Sequence, residues 1–256
     1  GGSNLRCHVD KIAGRGVQKP IAARYSPPMA SLTATENAPL ERAADAPMLA
    51  QVEKWAAINS GTGNLAGLKA VAGQLADAFA ALPGEVRLVA ADPVESVDSA
   101  GRVNTIQRGD HLHLRVRPEA PVQLLLTGHM DTVFAADHPF QTLKWLEDGV
   151  LNGPGTADMK AGISVILAAL SALEASPLAN RVGYDVMINS DEETGSQASA
   201  RLIAELAKGK TAALTYEPAL PDGTLAGARP GSGNFSIIVH GRAAHAGRNP
   251  QEGRNA

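Results

Sequence analysis

A single cysteine, Cys7, stands in the 256 residues. That scarcity excludes an internal disulfide framework and any cysteine-rich zinc module. Any metal site must then be built from histidine, aspartate and glutamate. No uninterrupted apolar run reaches the roughly 18 residues a spanning helix needs, so no membrane partner is expected. An excess of one charge is missing too: 23 Lys and Arg against 26 Asp and Glu leave a net charge of −3. Neither nucleic acid nor an acidic surface is therefore an expected partner. There is no Gly-x-Ser-x-Gly elbow, and with it goes the nucleophile of that class of serine hydrolase. Gly153-Pro154-Gly155 lacks the Gly-Lys-Ser/Thr ending and the spacing of either nucleotide fingerprint. No internal repeat or low-complexity tract occurs. With 44% hydrophobic and 19% charged residues, the composition is that of a globular chain with room for one large domain or two modest ones.

Residues 1–28 carry Arg6, Lys11, Arg15, Lys19 and Arg24 against the single acid Asp10, without apolar periodicity. With no apolar h-region this stretch is not a secretory signal, and it reads as a tag, an arm or upstream sequence ahead of Met29. From Met29 the charge becomes 18 − 25 = −7 and no cysteine remains, which points to a cytoplasmic setting. The expected organisation is a poorly ordered lead-in over 1–46, a catalytic domain over 47–228, and the beginning of a second domain over 229–256.

Met48–Ile58 reads as a short helix. Leu65, Leu68, Val71, Ala72, Leu75, Phe79 and Leu82 recur at helical steps up to Pro83-Gly84. Val86–Ala90 is a candidate strand. His111–Arg117 alternates, with Leu112, Leu114 and Val116 on one face and His111, His113, Arg115 and Arg117 on a face expected to be solvated. Val122–Thr127 reads as a largely apolar run, as in a strand covered on both sides. A helix over Gly162–Glu174, a strand over Val182–Asn189, a helix over Gln197–Lys208 and a strand over Thr211–Tyr216 follow. This alternation predicts an α/β fold, a mostly parallel sheet with helices on both faces. After the glycine- and proline-rich Gly227–Gly233, Asn234–His240 reads as the first strand of the second domain.

In such sheets ligands bind beyond the carboxyl ends of the strands. Three predicted strands end in chemistry: Gly128-His129-Met130-Asp131-Thr132, Ser190-Asp191-Glu192-Glu193-Thr194-Gly195, and Tyr216-Glu217-Pro218. A fourth group, Gly155-Thr156-Ala157-Asp158-Met159-Lys160, precedes the Gly162 helix. Carboxylates converging on one edge repel unless a cation holds them, and imidazole with carboxylates suits zinc, singly or as a bridged pair. His129 would hold a metal, and Asp131 would fix its tautomer. Glu192 and Glu193 point to opposite sides of an extended segment, so one can ligate while the other serves as general base.

These segments, with Gly241-Arg242-Ala243-Ala244-His245-Ala246-Gly247, resemble the ordered motifs of the zinc aminoacylase/carboxypeptidase family. That family includes carboxypeptidase G, acetylornithine deacetylase and succinyl-diaminopimelate desuccinylase. The resemblance runs from about Pro47 to the end. It implies the co-catalytic zinc peptidase fold with two Zn²⁺, for which Co²⁺ or Mn²⁺ can substitute. It further implies His129 and Glu217 on one zinc, Asp158 bridging and followed by a cis peptide, and Glu193 on the other zinc. Glu192 is then the general base and Asp131 the acid that orients His129. His245 is the lid histidine that meets the tetrahedral intermediate, often from the partner of a homodimer joined through the lid. The implied reaction is hydrolysis of an amide bond in an N-acyl amino acid or short peptide, with a metal-activated water. The family's final zinc ligand and the residues that hold the substrate carboxylate fall beyond Ala256. The chain is therefore expected to end inside a smaller α+β lid and to bind at most one zinc tightly. The rival readings are a fold-retaining but inactive binding module or fragment, and a deacetylase, desuccinylase or dipeptidase variant of the same chemistry.

Overall fold

The computed structural model describes residues 33–147, 149–220, 235 and 237–254. Two compact units divide the chain, 1–31 with 219–227 and 32–218 with 228–256. The first falls almost wholly outside the described residues, and the second holds every element below.

Helices α1 (Ala34–Ala44), α2 (Met48–Ala56) and α3 (Leu65–Phe79) precede strands β1 (Glu85–Val89), β2 (Val94–Val97), β3 (Val103–Ile106), β4 (His111–Val116) and β5 (Val122–His129). Then come β6 (Lys144–Glu147), β7 (Val150–Asn152), α4 (Ala161–Glu174), β8 (Val182–Asn189), α5 (Ala200–Leu206) and β9 (Ala212–Thr215). Helix α3 begins where the Asn64 side chain accepts the Gly67 N–H at 3.1 Å. It ends ahead of Gly84, whose φ of +101° only glycine adopts freely.

The main sheet has the order β1-β4-β8-β5-β9. β4 pairs antiparallel with both β1 and β8, while β5 pairs parallel with β8 and β9. The sheet is therefore mixed in its pairing, although only β4 runs against the other four. β2–β3 and β6–β7 are separate hairpins that the apolar pattern did not announce.

Helices cover both faces, as expected. On one face Trp55 of α2, Leu68, Leu75 and Phe79 of α3, and Ile163, Ile166 and Leu170 of α4 pack against Leu112, Leu114, Leu126, Tyr184, Val186 and Ile188. On the other, Leu206 of α5 packs on Leu125 and Met187. The stretch Thr156–Glu174 is long and apolar enough to cross a membrane, yet its stripe of Ile163, Ile166, Leu167 and Leu170 is buried in this core. Emptying one such position costs roughly 2–5 kcal/mol.

Four expectations need correction. The lead-in contains helix α1, which packs along α4. The helix expected from Gln197 starts at Ala200, because Asp191 ties back to the preceding turn by accepting the Ala198 N–H at 2.7 Å. The His111–His113 end of that face is not solvated, although Arg115 on it is exposed: β4 lies inside the sheet, His111 is 1% exposed, and His113 Nε2 lies 2.6 Å from the buried Asp185 carboxylate. Polar side chains survive there because they satisfy one another; Asp185 also accepts Arg115 Nε at 2.8 Å and the Lys210 ammonium. Finally, the described residues of Asn234–His240 form no strand, and Phe235 and Ile237 are 90% and 87% exposed. A strand needs a neighbour for its backbone groups, and among the described residues this segment has none. The expected boundary at Gly227–Gly233 and the end of the chain at Asn255-Ala256 lie outside the described residues.

Candidate metal centre

The parallel strands β5, β8 and β9 end on the same edge of the sheet. His129 is in register with Asn189, and Thr127 with Thr215. The Met130 N–H donates to Asn189 O at 2.8 Å and the Tyr216 N–H to Thr127 O at 3.3 Å, so the ladder continues past the strand ends. This alignment carries His129, Glu217 and the Glu192–Glu193 pair, which lies in a tight turn over Glu192–Thr194 and not in the extended segment expected, to one place.

Asp158 arrives in the kinked segment Thr156–Lys160 that leads into α4, where it and Met159 take non-helical backbone angles. Gly155 enters it at φ +71°, and the Asp158–Met159 peptide is cis, as the resemblance implied. Buried Met159 sits beneath His129, its sulfur accepting the His129 N–H at 3.1 Å. Gly162 allows the α4 terminus to meet β9: a Cβ there would lie 2.1 Å from Tyr216 O, so any side chain would push the Glu217 segment away.

The His129 imidazole is 1% exposed. Its Nδ1 donates to the Asp131 carbonyl at 3.0 Å, with Asp131 Oδ1 at 3.3 Å. Its Nε2 faces Asp158 Oδ1 at 3.0 Å, Glu217 Oε1 at 3.7 Å and Glu192 Oε2 at 3.9 Å. Two sets of side chains bring ligand atoms within 4.8 Å of one another, His129 with Glu192 and Glu217, and His129 with Asp158 and Glu193. Asp131, fully buried, accepts the Thr62 hydroxyl at 2.7 Å and the backbone N–H groups of Glu192 and Glu193 at 3.2 Å each. Asp131 thus orients the histidine through its backbone carbonyl, with the carboxylate close by, and seats the acidic turn through the carboxylate.

The electrostatics betray the crowding of acids. Burial pushes the Glu193 carboxyl up to about 7; the charges of Asp158, Asp131 and Glu192 add to the rise, against the pull of His129. Glu192 is raised by burial and by Glu217, Asp131 and Asp158, again against His129. Burial alone would lower the His129 pKa, but hydrogen bonds and charges from Asp131 and Glu217 outweigh it and push the value up to about 11. A cavity that holds protons this tightly is one that attracts cations, so the donor set fits a divalent metal. Imidazole with carboxylates is a donor set that zinc accepts.

Of the residues singled out from sequence, His129, Asp131, Asp158, Glu192, Glu193 and Glu217 come together. His245 does not join them: its described hydrogen bonds are local, to Gly247, Arg248 and Asn249, with the Asn249 side chain accepting the His245 N–H at 3.1 Å. Sequence reasoning missed Thr62 and Lys160. Lys160 is 1% exposed, its ammonium 3.4 Å from Ile58 O, and burial brings its pKa down to about 8 despite the attraction of Asp131. The available signal was a lysine wedged between Met159 and the apolar start of α4. A cavity of about 370 Å³ opens beside the cluster, lined by Thr127, Asp158, Glu192, Ile203, Thr215 and Glu217 among others.

Comparison with known proteins agrees with this geometry. The chain is 34% identical over 210 residues to carboxypeptidase G2 of Pseudomonas sp. (strain RS-16), covering 80% of this chain and 47% of that protein. It is 29% identical over 137 residues to succinyl-diaminopimelate desuccinylase of Wolbachia pipientis wMel, covering 48% of this chain and 33% of that one. The chain thus spans less than half the length of these relatives. Among solved structures, human carnosine dipeptidase 1 shares the fold with a TM-score of 0.56 at 19% identity, over 73% of this chain and 41% of that one. Residues 125–250 match the profile described as Peptidase family M20/M25/M40, the span that contains every acidic and histidine residue of the centre, and the chain therefore carries a peptidase M20 domain.

Proposed function

We propose that this chain supplies the metal-binding part of a zinc-dependent amidohydrolase acting on N-acyl amino acids or short peptides. The observation that carries the reading is the convergence of Asp158, Glu192, Glu193 and Glu217 around the buried His129 at the carboxyl edge of the sheet. The carboxypeptidase and desuccinylase names of the relatives share one chemistry, hydrolysis of an amide next to a carboxylate-bearing amino acid.

In this reading His129, Asp158, Glu193 and Glu217 would hold the zinc. Zinc, when bound, supplies Lewis acidity toward the amide carbonyl and the attacking water. Asp131 keeps the His129 Nδ1 proton in place so that Nε2 presents its lone pair. Glu192 takes a proton from the water and returns it to the leaving amine nitrogen. Glu192 also lies within reach of the His129–Glu217 pair, so its role as base and not ligand rests on the family resemblance. His245 would complete the site from a second subunit of a homodimer joined through 229–256, and the setting would be cytoplasmic.

The test uses the full gene product that contains this chain. Elemental analysis should find zinc, and a panel of N-acyl amino acids and dipeptides should be hydrolysed. Glu192→Gln should keep its metal and lose turnover by a factor of ~10² or more. Near-normal turnover with saturated zinc would refute the base, and absence of zinc would refute the reading as a whole.

A further inference from the structure

His111 lies outside the metal cluster, yet it is 1% exposed and both of its ring nitrogens are engaged. Nδ1 accepts the Ser190 N–H at 3.3 Å, and Nε2 lies 3.4 Å from Ala198 O. A backbone N–H can only donate and a carbonyl can only accept, so the two contacts together demand the neutral imidazole with its proton on Nε2. Ser190 and Ala198 are the two ends of the loop that carries Glu192 and Glu193. The ring therefore spans the mouth of the acidic loop.

The surrounding contacts point the same way. The Ser190 hydroxyl, also 3.3 Å from His111 Nδ1, donates to Gly109 O at 2.5 Å, just ahead of β4. Ala198 O receives the Asp92 N–H at 3.2 Å as well, and the Ala198 N–H donates to Asp191 at 2.7 Å. Asp191 closes the loop from within. His111 ties it to β4, the strand that pairs with β8 from Leu112 opposite Ile188 onward. Within the loop, the Glu192 and Glu193 N–H groups donate to Asp131, at 3.2 Å each.

We infer that His111 is a positioning residue for the metal centre, clamping the ends of the 190–198 loop so that Glu192 and Glu193 face His129. The inference rests on the proposed role of those two glutamates. Groups that orient ligands in this way change metal affinity by about 10–100-fold when removed.

The experiment is a Zn²⁺ titration by calorimetry at 25 °C on the same full gene product, as wild type and as His111→Leu, His111→Asn and His111→Gln. Folding of each is checked by far-UV circular dichroism and thermal melting. Leucine removes both bonds, whereas the short asparagine amide can still accept the Ser190 N–H and the longer glutamine amide reaches past it. The expected result is a loss of Zn²⁺ affinity of ~10-fold or more for His111→Leu at a temperature where it is folded, with His111→Asn within ~3-fold of wild type. A purely structural role would lower the melting temperature and leave the affinity of the folded protein unchanged. Affinity of His111→Leu within twofold of wild type, or His111→Asn as weak as His111→Leu, overturns the inference. Should His111→Leu fail to fold, equal affinities for His111→Asn and His111→Gln overturn it. A wild-type protein that binds no Zn²⁺ removes the functional reading and this inference with it, whereas binding that His111→Leu leaves intact removes the inference alone.

Discussion

Replacing Asp131 by asparagine changes one atom of a fully buried side chain and should be costly. Oδ1 of Asp131 accepts the Glu192 N–H at 3.2 Å and lies 3.3 Å from His129 Nδ1. Oδ2 accepts the Glu193 N–H at 3.2 Å and the Thr62 hydroxyl at 2.7 Å. Wherever the amide nitrogen of asparagine is placed, it confronts a backbone N–H that cannot become an acceptor. The threonine hydroxyl can turn round to accept; the N–H groups of Glu192 and Glu193 cannot. Hydrogen bonds to a charged acceptor contribute about 1.5–3 kcal/mol, and a buried donor left unsatisfied costs about 1–3 kcal/mol, so Asp131→Asn should lose roughly 3–5 kcal/mol. With a urea slope of ~2–3 kcal/mol per M, the midpoint falls by ~1–2 M. The assay is urea unfolding of EDTA-treated protein followed by circular dichroism, which separates this effect from any loss of bound metal. A second readout is the His129 pKa by NMR titration of the metal-free protein. Burial pulls that value down while Asp131 and Glu217 hold it up at about 11, so loss of the Asp131 charge should lower it. Stability within ~1 kcal/mol of wild type, with His129 unmoved, would show that Asp131 is not the keystone argued above.

Two pH effects follow. The raised pKa values of Glu193, to about 7, and His129, to about 11, stabilise the metal-free protein at acid pH, and that contribution is lost as pH rises through those values. Zn²⁺ displaces the protons, so the difference in melting temperature with and without Zn²⁺ should widen from pH 5 to pH 8; a flat difference would contradict the site. Lys160 acts with the opposite sign: burial takes its pKa from 10.5 down to about 8, so the unfolded chain holds the proton that the folded one sheds. Its contribution to stability should rise between pH 8 and pH 10.5, and the wild-type minus Lys160→Met difference in urea midpoint isolates that slope. No slope in the difference would mean that the ammonium is better solvated than its surroundings suggest.

The amino-acid sequence by itself determined the alternating strands and helices, because burial on one or two faces imposes periods that can be read directly. The runs Val122–Thr127 and Val182–Asn189 and the stripe from Ile163 to Leu170 became β5, β8 and the core face of α4. It also placed His129, Asp158, Glu192, Glu193 and Glu217 at strand ends or before a helix, where parallel topology gathers side chains. What it could not supply was the partner of each strand. Alternation in His111–Val116 reports two faces but not what covers the second, and only the pairing of β4 with β8 and the fold-back of the 190–198 loop turn His111 from a surface residue into a clamp. The same holds for Asp131, whose four contacts come from segments about 60 to 70 residues away in either direction as well as from His129, two residues before it. Local sequence encodes the period and the punctuation of each element. Which buried polar group answers which is decided by contacts between distant segments, and those exist only once the sheet has formed.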